Sequence, residues 1–345
     1  MEANERDIYD VTIIGGGPAG MYAAFYSGMR AMRTKLIEAK EELGGFMRTY
    51  PEKMIWDVGA VGPVRCEKMI EILEEQARTF DPTIVLGQEM AHVNRQEDGI
   101  FELTSKTGER HYTRTILLCA GRGMTQVQKL DIEGANRYEL TNLHYTITSL
   151  ARFKDKRVLI SGGGDSAVDW ANEIAKLAKQ VIVVHRRNEF SAHEQPVEQM
   201  KATATIMTPY RIFRLHGAGD QLESITLEHA ETGELVRIEA DEVVVNHGFD
   251  RDFGALLNWG LAKEDYGLTV DQRMRTNISG IFGAGDFITY GSKVRLIAGA
   301  FNDAVLAVNS AKLYLDPAAS DMAGVSSHNE RFNEKNKKIT QEQMK

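Results

Sequence analysis

An α/β fold with two parallel-sheet units is predicted by three observations. The stretch VTIIGGGPAG (11–20) is an apolar strand that breaks into glycines and then turns helical, and VLISGGGDSAVDW (158–170) repeats the design. A second short apolar run follows each helix, TKLIE (34–38) and VIVVH (181–185), so each unit reads β–α–β. A chain of 345 residues has room for two such domains, or one large one, with a sizeable core.

The elements follow in order. A strand over 9–14, a glycine turn and a helix through about Arg30 lead to the strand 34–38. Met69, Ile70, Leu73 and Ala77 recur at helical spacing and predict a helix over roughly 66–80. Short strands are expected around 84–86, 100–104 and 115–119, separated by the turns EDG (97–99) and KTGE (106–109), which suggests an inserted β-meander. The second unit begins at Arg157, with a helix over 166–178, the strand 181–185 and strand-rich sequence to Gly248. GIFGAGDF (280–287), a helix from about Lys293 to Tyr314 and a loosely packed polar tail from Pro317 complete the chain.

Composition narrows the function. A net charge of −8, with no basic block to offset it, argues against nucleic-acid binding. No apolar stretch reaches the ~20 residues of a membrane span, and the charged N-terminus lacks a signal-peptide core, so no membrane association and a cytoplasmic location are expected. Cys66 and Cys119 stand in neither a C-x-x-C pair nor a metal-ligand spacing; two buried reduced thiols and no metal are expected.

The glycine loops carry the chemistry. Gly15, Gly17 and Gly20 fit G-x-G-x-x-G, and Gly162, Gly164 and Ala167 fit G-x-G-x-x-A. The first glycine makes the tight turn, the second lets the backbone approach a pyrophosphate, and the third position packs helix on strand. The pyrophosphate then lies against the first amides of the helix. Glu38 stands 23 positions beyond Gly15, where a carboxylate accepts bonds from ribose hydroxyls, favouring FAD or NAD. The same count from Gly162 reaches His185, followed by Arg186 and Arg187, two guanidiniums that suit the 2′-phosphate of NADPH. Two dinucleotides in one chain imply hydride transfer from nicotinamide to flavin. Asp286, at the end of a strand, is placed to hold the ribitol of FAD, and the first amides of the helix after it are expected at the flavin N1–O2 edge.

IIGGGPAG, LGG…YPEK (43–53), GGGDSAVDWA, HRR, FGAGD and KVRLIAGAFNDA (293–304) occur in the order seen in thioredoxin-reductase-like enzymes. With NLHYT (142–146), the chain resembles the bacterial ferredoxin/flavodoxin–NADP+ reductases of that type over essentially its whole length. The resemblance implies two Rossmann-like (three-layer ββα) domains, with an NADPH-binding domain (120–248) inserted in a split FAD-binding domain (1–119 and 249–345). Gly121, Gly123 and Gly248 would serve the hinge between them. It implies an NADPH site of Gly162, Gly164, Asp165, Ser166, Ala167, His185, Arg186 and Arg187. On the FAD side it adds Phe46, where many relatives carry a polar residue, and Tyr50, whose ring stacks on the isoalloxazine.

A tail residue, supplied by the partner of a homodimer, covers the other flavin face in such enzymes. Here the tail reads AGVSSHNERF (323–332). Matching the hydroxyl pair to Ser326–Ser327 puts Val325 over the ring, the preferred register, with Ser327 at the cofactor; matching the histidine puts His328 there. Where thioredoxin reductases carry C-x-x-C, the stretch 142–158 has no cysteine, so electrons are expected to pass directly from flavin to ferredoxin or flavodoxin. RFKDKR (152–157) and Lys335, Lys337 and Lys338 are candidates for docking an acidic carrier. Two other readings keep the same loops: reduction of a small disulfide, quinone or oxygen, and a non-catalytic flavin redox sensor.

Overall fold

The computed structural model describes residues 6–343 except 125, 251, 265 and 266. The helices are α1 (Pro18–Met29), α2 (Cys66–Ala77), α3 (Asp165–Ile174), α4 (Glu194–Thr203), α5 (Ile297–Leu315) and α6 (Asn333–Gln343). The chain divides into two compact units. One comprises the described residues of Met1–Arg48, Lys53–Met124 and Arg251–Lys345; the other comprises those of Thr49–Glu52 and Thr125–Asp250.

The first unit is built on a seven-stranded sheet. Ile8–Ile14 lies between Thr34–Ile37 and Arg110–Leu118, parallel to both, and Thr83–Val85 extends the sheet beyond Thr34–Ile37. The far edge of Arg110–Leu118 is shared. Its first half pairs antiparallel with Phe101–Ser105, and its last residues pair parallel with Ile281–Gly283. The meander is therefore Met90–Arg95, Phe101–Ser105 and Arg110–Leu118, while the strand near residue 84 belongs to the parallel part. Val11, Ile13, Leu36, Ile116, Leu118 and Phe282 are buried with Met69, Ile70 and Leu73 of α2 and Ala304 and Val308 of α5 in one apolar core. The α1–α5 packing includes Tyr22 and Phe301, with ring centroids 4.8 Å apart.

The second unit has five parallel strands in the order Leu143–His144, Glu242–Val245, Arg157–Ser161, Gln180–Val184 and Thr205–Met207. An antiparallel sheet of Tyr210–Ala218, Gln221–His229 and Leu235–Glu239 supplies a further layer. Leu159, Ile182, Val184 and Val243 are buried together with Ile225 and Leu227 of that second sheet, which is why the parallel strands read as continuous apolar runs. Gln126–Val127 pairs antiparallel with Phe249–Asp250 in this unit. In the first unit, the Met124 N–H donates to the Asp252 carbonyl at 2.6 Å.

Two expectations need correction. The helix expected from Lys293 begins at Ile297, because its N-cap Leu296 is extended (φ −126°, ψ 160°). The tail, though mostly exposed, is not loose throughout: it is tied down at separate points as far as Phe332. Arg30 donates to the Ser320 carbonyl at 2.6 Å, the Ala323 N–H donates to the Tyr26 hydroxyl at 3.3 Å, and Asn329 Nδ2 donates to the Met29 carbonyl at 3.4 Å. The Phe332 ring meets Phe80 edge-on at 5.2 Å and lies 6.3 Å from Phe25. An aromatic anchor near the end of a polar segment outweighs the composition around it. No helix among the described residues is long and apolar enough to cross a membrane.

Candidate nucleotide and flavin sites

In the first unit, three strand ends converge on the first glycine loop. The Cys119 N–H donates to the Ile14 carbonyl at 2.7 Å, and the Gly15 N–H donates to the Ile37 carbonyl at 2.8 Å. A Cβ on Gly15 would lie 2.4 Å from the Cys119 carbonyl oxygen, and one on Gly20 would lie 1.8 Å from the Gly15 carbonyl oxygen. Side chains at these positions are excluded by backbone, so the loop cannot be built otherwise. α1 starts on Gly17 with no side-chain cap among the described residues, has Pro18 in its first turn and carries no acidic residue there. Its first amides are left for an anion.

Glu38 is buried, 7% exposed, and closes over this loop. Its Oε2 accepts the Gly16 N–H at 2.5 Å and its Oε1 accepts the Lys40 N–H at 2.9 Å. Each carboxylate oxygen keeps a lone pair for a ribose hydroxyl. Gly45, beside Phe46, approaches so closely that a Cβ on it would lie 2.8 Å from the Gly17 Cα. Asp286 follows Ile281–Gly283 and is 25% exposed. Arg122, not among the sequence-predicted site residues, lies with its guanidinium 3.5 Å from the Asp286 carboxylate and 4.6 Å from the Phe46 ring centroid. The only local signal for it was its place in the turn CAGRG that follows a central strand. These residues form a glycine cradle with a buried carboxylate at one end, and they fit a dinucleotide.

The second unit repeats the cradle. The Gly162 N–H donates to the Val184 carbonyl at 3.0 Å, and a Cβ on Gly162 would lie 2.6 Å from the Asn246 carbonyl oxygen. The Asn246 Oδ1 is buried with no hydrogen-bond partner among the described residues, an acceptor still to be satisfied. A Cβ on Gly163 would strike the His185 ring at 2.3 Å, so His185 lies directly against the loop; it also stacks on Phe190 at 5.4 Å. Burial, then the charges of Arg187 and Arg186, hold the His185 imidazole below its usual range. Both arginines are exposed and pair with no carboxylate among the described residues, leaving two cations for a phosphate.

Asp165 is engaged locally, accepting the His193 N–H at 3.2 Å, and Ala167 is fully packed at the start of α3. Ser166 Oγ lies 3.3 Å from the Tyr50 hydroxyl. Tyr50 belongs with the second unit, its ring 6.3 Å from Trp170 and edge-on to Phe249 at 6.1 Å. In the tail, Val325 is 60% exposed, and Ser327 Oγ and His328 Nδ1 lie 3.1 Å apart at the surface.

The family model of the pyridine nucleotide-disulphide oxidoreductases matches residues 9–311. The chain is 53% identical to ferredoxin–NADP reductase 1 of Bacillus pumilus, over 97% of each chain. It is 51% identical to ferredoxin–NADP reductase 1 of Shouchella clausii, over 98% of this chain and 97% of that one. Among solved structures, Lactococcus lactis thioredoxin reductase superposes with a TM-score of 0.75 at 24% identity, covering 89% of this chain and 99% of the other; that likeness is one of fold.

Gly20→Ala tests the first cradle. Its Cβ meets backbone, so the loop must shift, at a cost of about 1–3 kcal/mol from overpacking. The expected outcome is a folded protein that has lost most of its bound FAD, read as the absorbance ratio of flavin to protein. Full flavin content in this variant is incompatible with the cradle.

Proposed function

The chain belongs to the pyridine nucleotide-disulphide oxidoreductase family, and from that premise we propose that it is an FAD-dependent ferredoxin/flavodoxin–NADP+ reductase. The observation that carries the reading is the opposite charge at equivalent places in its two cradles: buried Glu38 in one, exposed Arg186 and Arg187 in the other. FAD and NADP(H) are the cofactors. FAD held in the first cradle would supply the capacity to accept a hydride from NADPH and to donate electrons singly to a carrier.

The chain's own residues bind and orient. Gly15, Gly17 and Gly20 admit the FAD pyrophosphate to the start of α1, Glu38 receives the adenosine ribose, and Asp286 receives the ribitol. Phe46 and Ser327 border that cofactor, and Tyr50 and Val325 (or His328) serve the ring faces. Gly162 and Gly164, with Asp165, Ser166 and Ala167, bring the NADPH pyrophosphate to the start of α3. His185, Arg186 and Arg187 take the 2′-phosphate. The FAD-binding domain is 1–119 and 249–345, and the NADPH-binding domain is 120–248. We read the protein as a cytoplasmic homodimer whose acceptor is ferredoxin or flavodoxin. Support for direct transfer to such a carrier comes from the thiols: Cys66 and Cys119 are both buried, and burial pushes both thiols up, away from the thiolate a disulfide relay requires.

Arg186→Ala and Arg187→Ala should each raise the KM for NADPH roughly ten- to hundredfold while leaving that for NADH nearly unchanged. Equal effects on both nucleotides would remove the 2′-phosphate from this site.

The function itself is tested anaerobically by adding NADPH to the flavoprotein, then ferredoxin, flavodoxin or oxidised thioredoxin. Bleaching of the flavin followed by reoxidation with ferredoxin or flavodoxin, but not thioredoxin, is expected. Bleaching without reoxidation by either carrier overturns the proposed acceptor; no bleaching overturns the enzyme.

A further inference from the structure

Behind the loop that presents Asp286 lies a buried ionic cluster with no part in the binding described above. Asp303, in the second turn of α5, is fully buried, and the Lys293 side chain paired with it is 2% exposed. The Asp303 Oδ2 accepts the Gly285 N–H at 3.1 Å and also bonds Lys293 Nζ, and its Oδ1 accepts the Tyr290 hydroxyl at 2.8 Å. One carboxylate thus ties down the residue before Asp286, the turn after it and the approach to α5.

Burying two charges costs several kcal/mol each in desolvation, and apolar residues of similar volume commonly stabilise such a site as well or better. Stability alone is therefore a poor reason for the pair. Geometry is a better one. Helical side chains lean toward the helix N-terminus, which lets Asp303 reach back from α5 to the 285–293 segment. That segment joins Ile281–Gly283 to α5, and it sets where Asp286 and the first amides of α5 stand.

We propose that Asp303 and Lys293 form a positioning pair for the flavin site: Asp303 fixes the 285–293 segment against α5, and Lys293 cancels its charge, so that no net buried charge from the pair biases the flavin. The inference rests on Asp286 facing FAD. It makes the two residues opposed in electrical effect although they are joined in structure. Removing Asp303 alone leaves a buried cation, which favours the more negative, reduced flavin. Removing Lys293 alone leaves a buried anion, which disfavours it.

The test compares Asp303→Asn, Lys293→Met, the double variant and Asp286→Ala, reading FAD affinity by fluorescence quenching and the flavin midpoint potential against a reference dye. Expected are FAD binding weakened tenfold or more in Asp303→Asn, a raised midpoint in that variant, a lowered midpoint in Lys293→Met, and a midpoint returned toward wild type in the double variant. If Lys293→Met does not accumulate folded, Lys293→Gln must lower the midpoint in its place. Midpoints that stay put, or move the same way in both single variants, overturn the proposal and leave the pair as scaffold. Asp286→Ala separates the premise from the inference. Undiminished FAD affinity in that variant removes Asp286 from the flavin site and the proposal with it; weakened affinity there with opposed shifts absent overturns the pair's role alone.

Discussion

The first unit depends on a place where no side chain fits. The Gly15 Cα lies against the Cys119 carbonyl, the Gly20 Cα lies against the Gly15 carbonyl, and a Cβ on Gly285 would come within 2.9 Å of the Ala19 Cβ. Ile8–Ile14, Arg110–Leu118 and Ile281–Gly283 thus end close around the start of α1. This closeness brings residues from distant parts of the chain, Glu38, Arg122 and Asp286, to one loop. It also fixes what the loop can bind. A surface made of backbone amides at an uncapped helix start recognises phosphate and little else, and discrimination must come from side chains at its margins.

Those margins use different physics in the two units. Glu38 is buried and already bonded to two amides, so it is oriented before any ligand arrives and penalises a further negative charge brought beside it. Arg186 and Arg187 are exposed and screened by water; a 2′-phosphate held there, as proposed, would displace that screening. On the proposed reading, the buried acid would act by exclusion and the exposed bases by attraction. His185 joins the two effects: lying on Gly163 with its charge suppressed by burial and by the arginines, it offers a neutral ring beside the cations.

Both cradles were legible because their signals are local. A strand, a glycine turn, a helix and the residue after the next strand lie within one short span, and the register shared by Glu38 and His185 needs no tertiary knowledge. Three features were not legible. Met90–Arg95 is not evident in sequence because MAHVNR alternates too weakly to stand out from a loop, and only pairing with Phe101–Ser105 makes it a strand. Arg122 and Asp286 are brought together by the pairing of Arg110–Leu118 with Ile281–Gly283, a contact between remote segments. Asp303 sits in FNDAV, where nothing distinguishes a buried carboxylate from a solvated one. Its partner Lys293 lies in the run before α5, where its inward-facing ammonium is equally indistinguishable from a solvated one in sequence.

The thiols limit how electrons can leave. Exchange with a disulfide requires a thiolate that can reach its target, and the attacking and resolving sulfurs must approach each other in turn. Cys119 is held between strand ends, its N–H bonded to Ile14 and its sulfur buried beside the Asp303 carboxylate, which adds to the effect of burial in opposing a second negative charge. Cys66 is closed into the core at the start of α2. Neither can cycle without opening the unit that holds the first cradle. A carrier that accepts electrons singly needs no such opening: it requires only that the flavin edge approach the surface, and the residues then matter by fixing that edge. On the proposed reading, the Asp303–Lys293 pair and the amides of α5 would bear on that one geometric condition by holding the 285–293 segment in place.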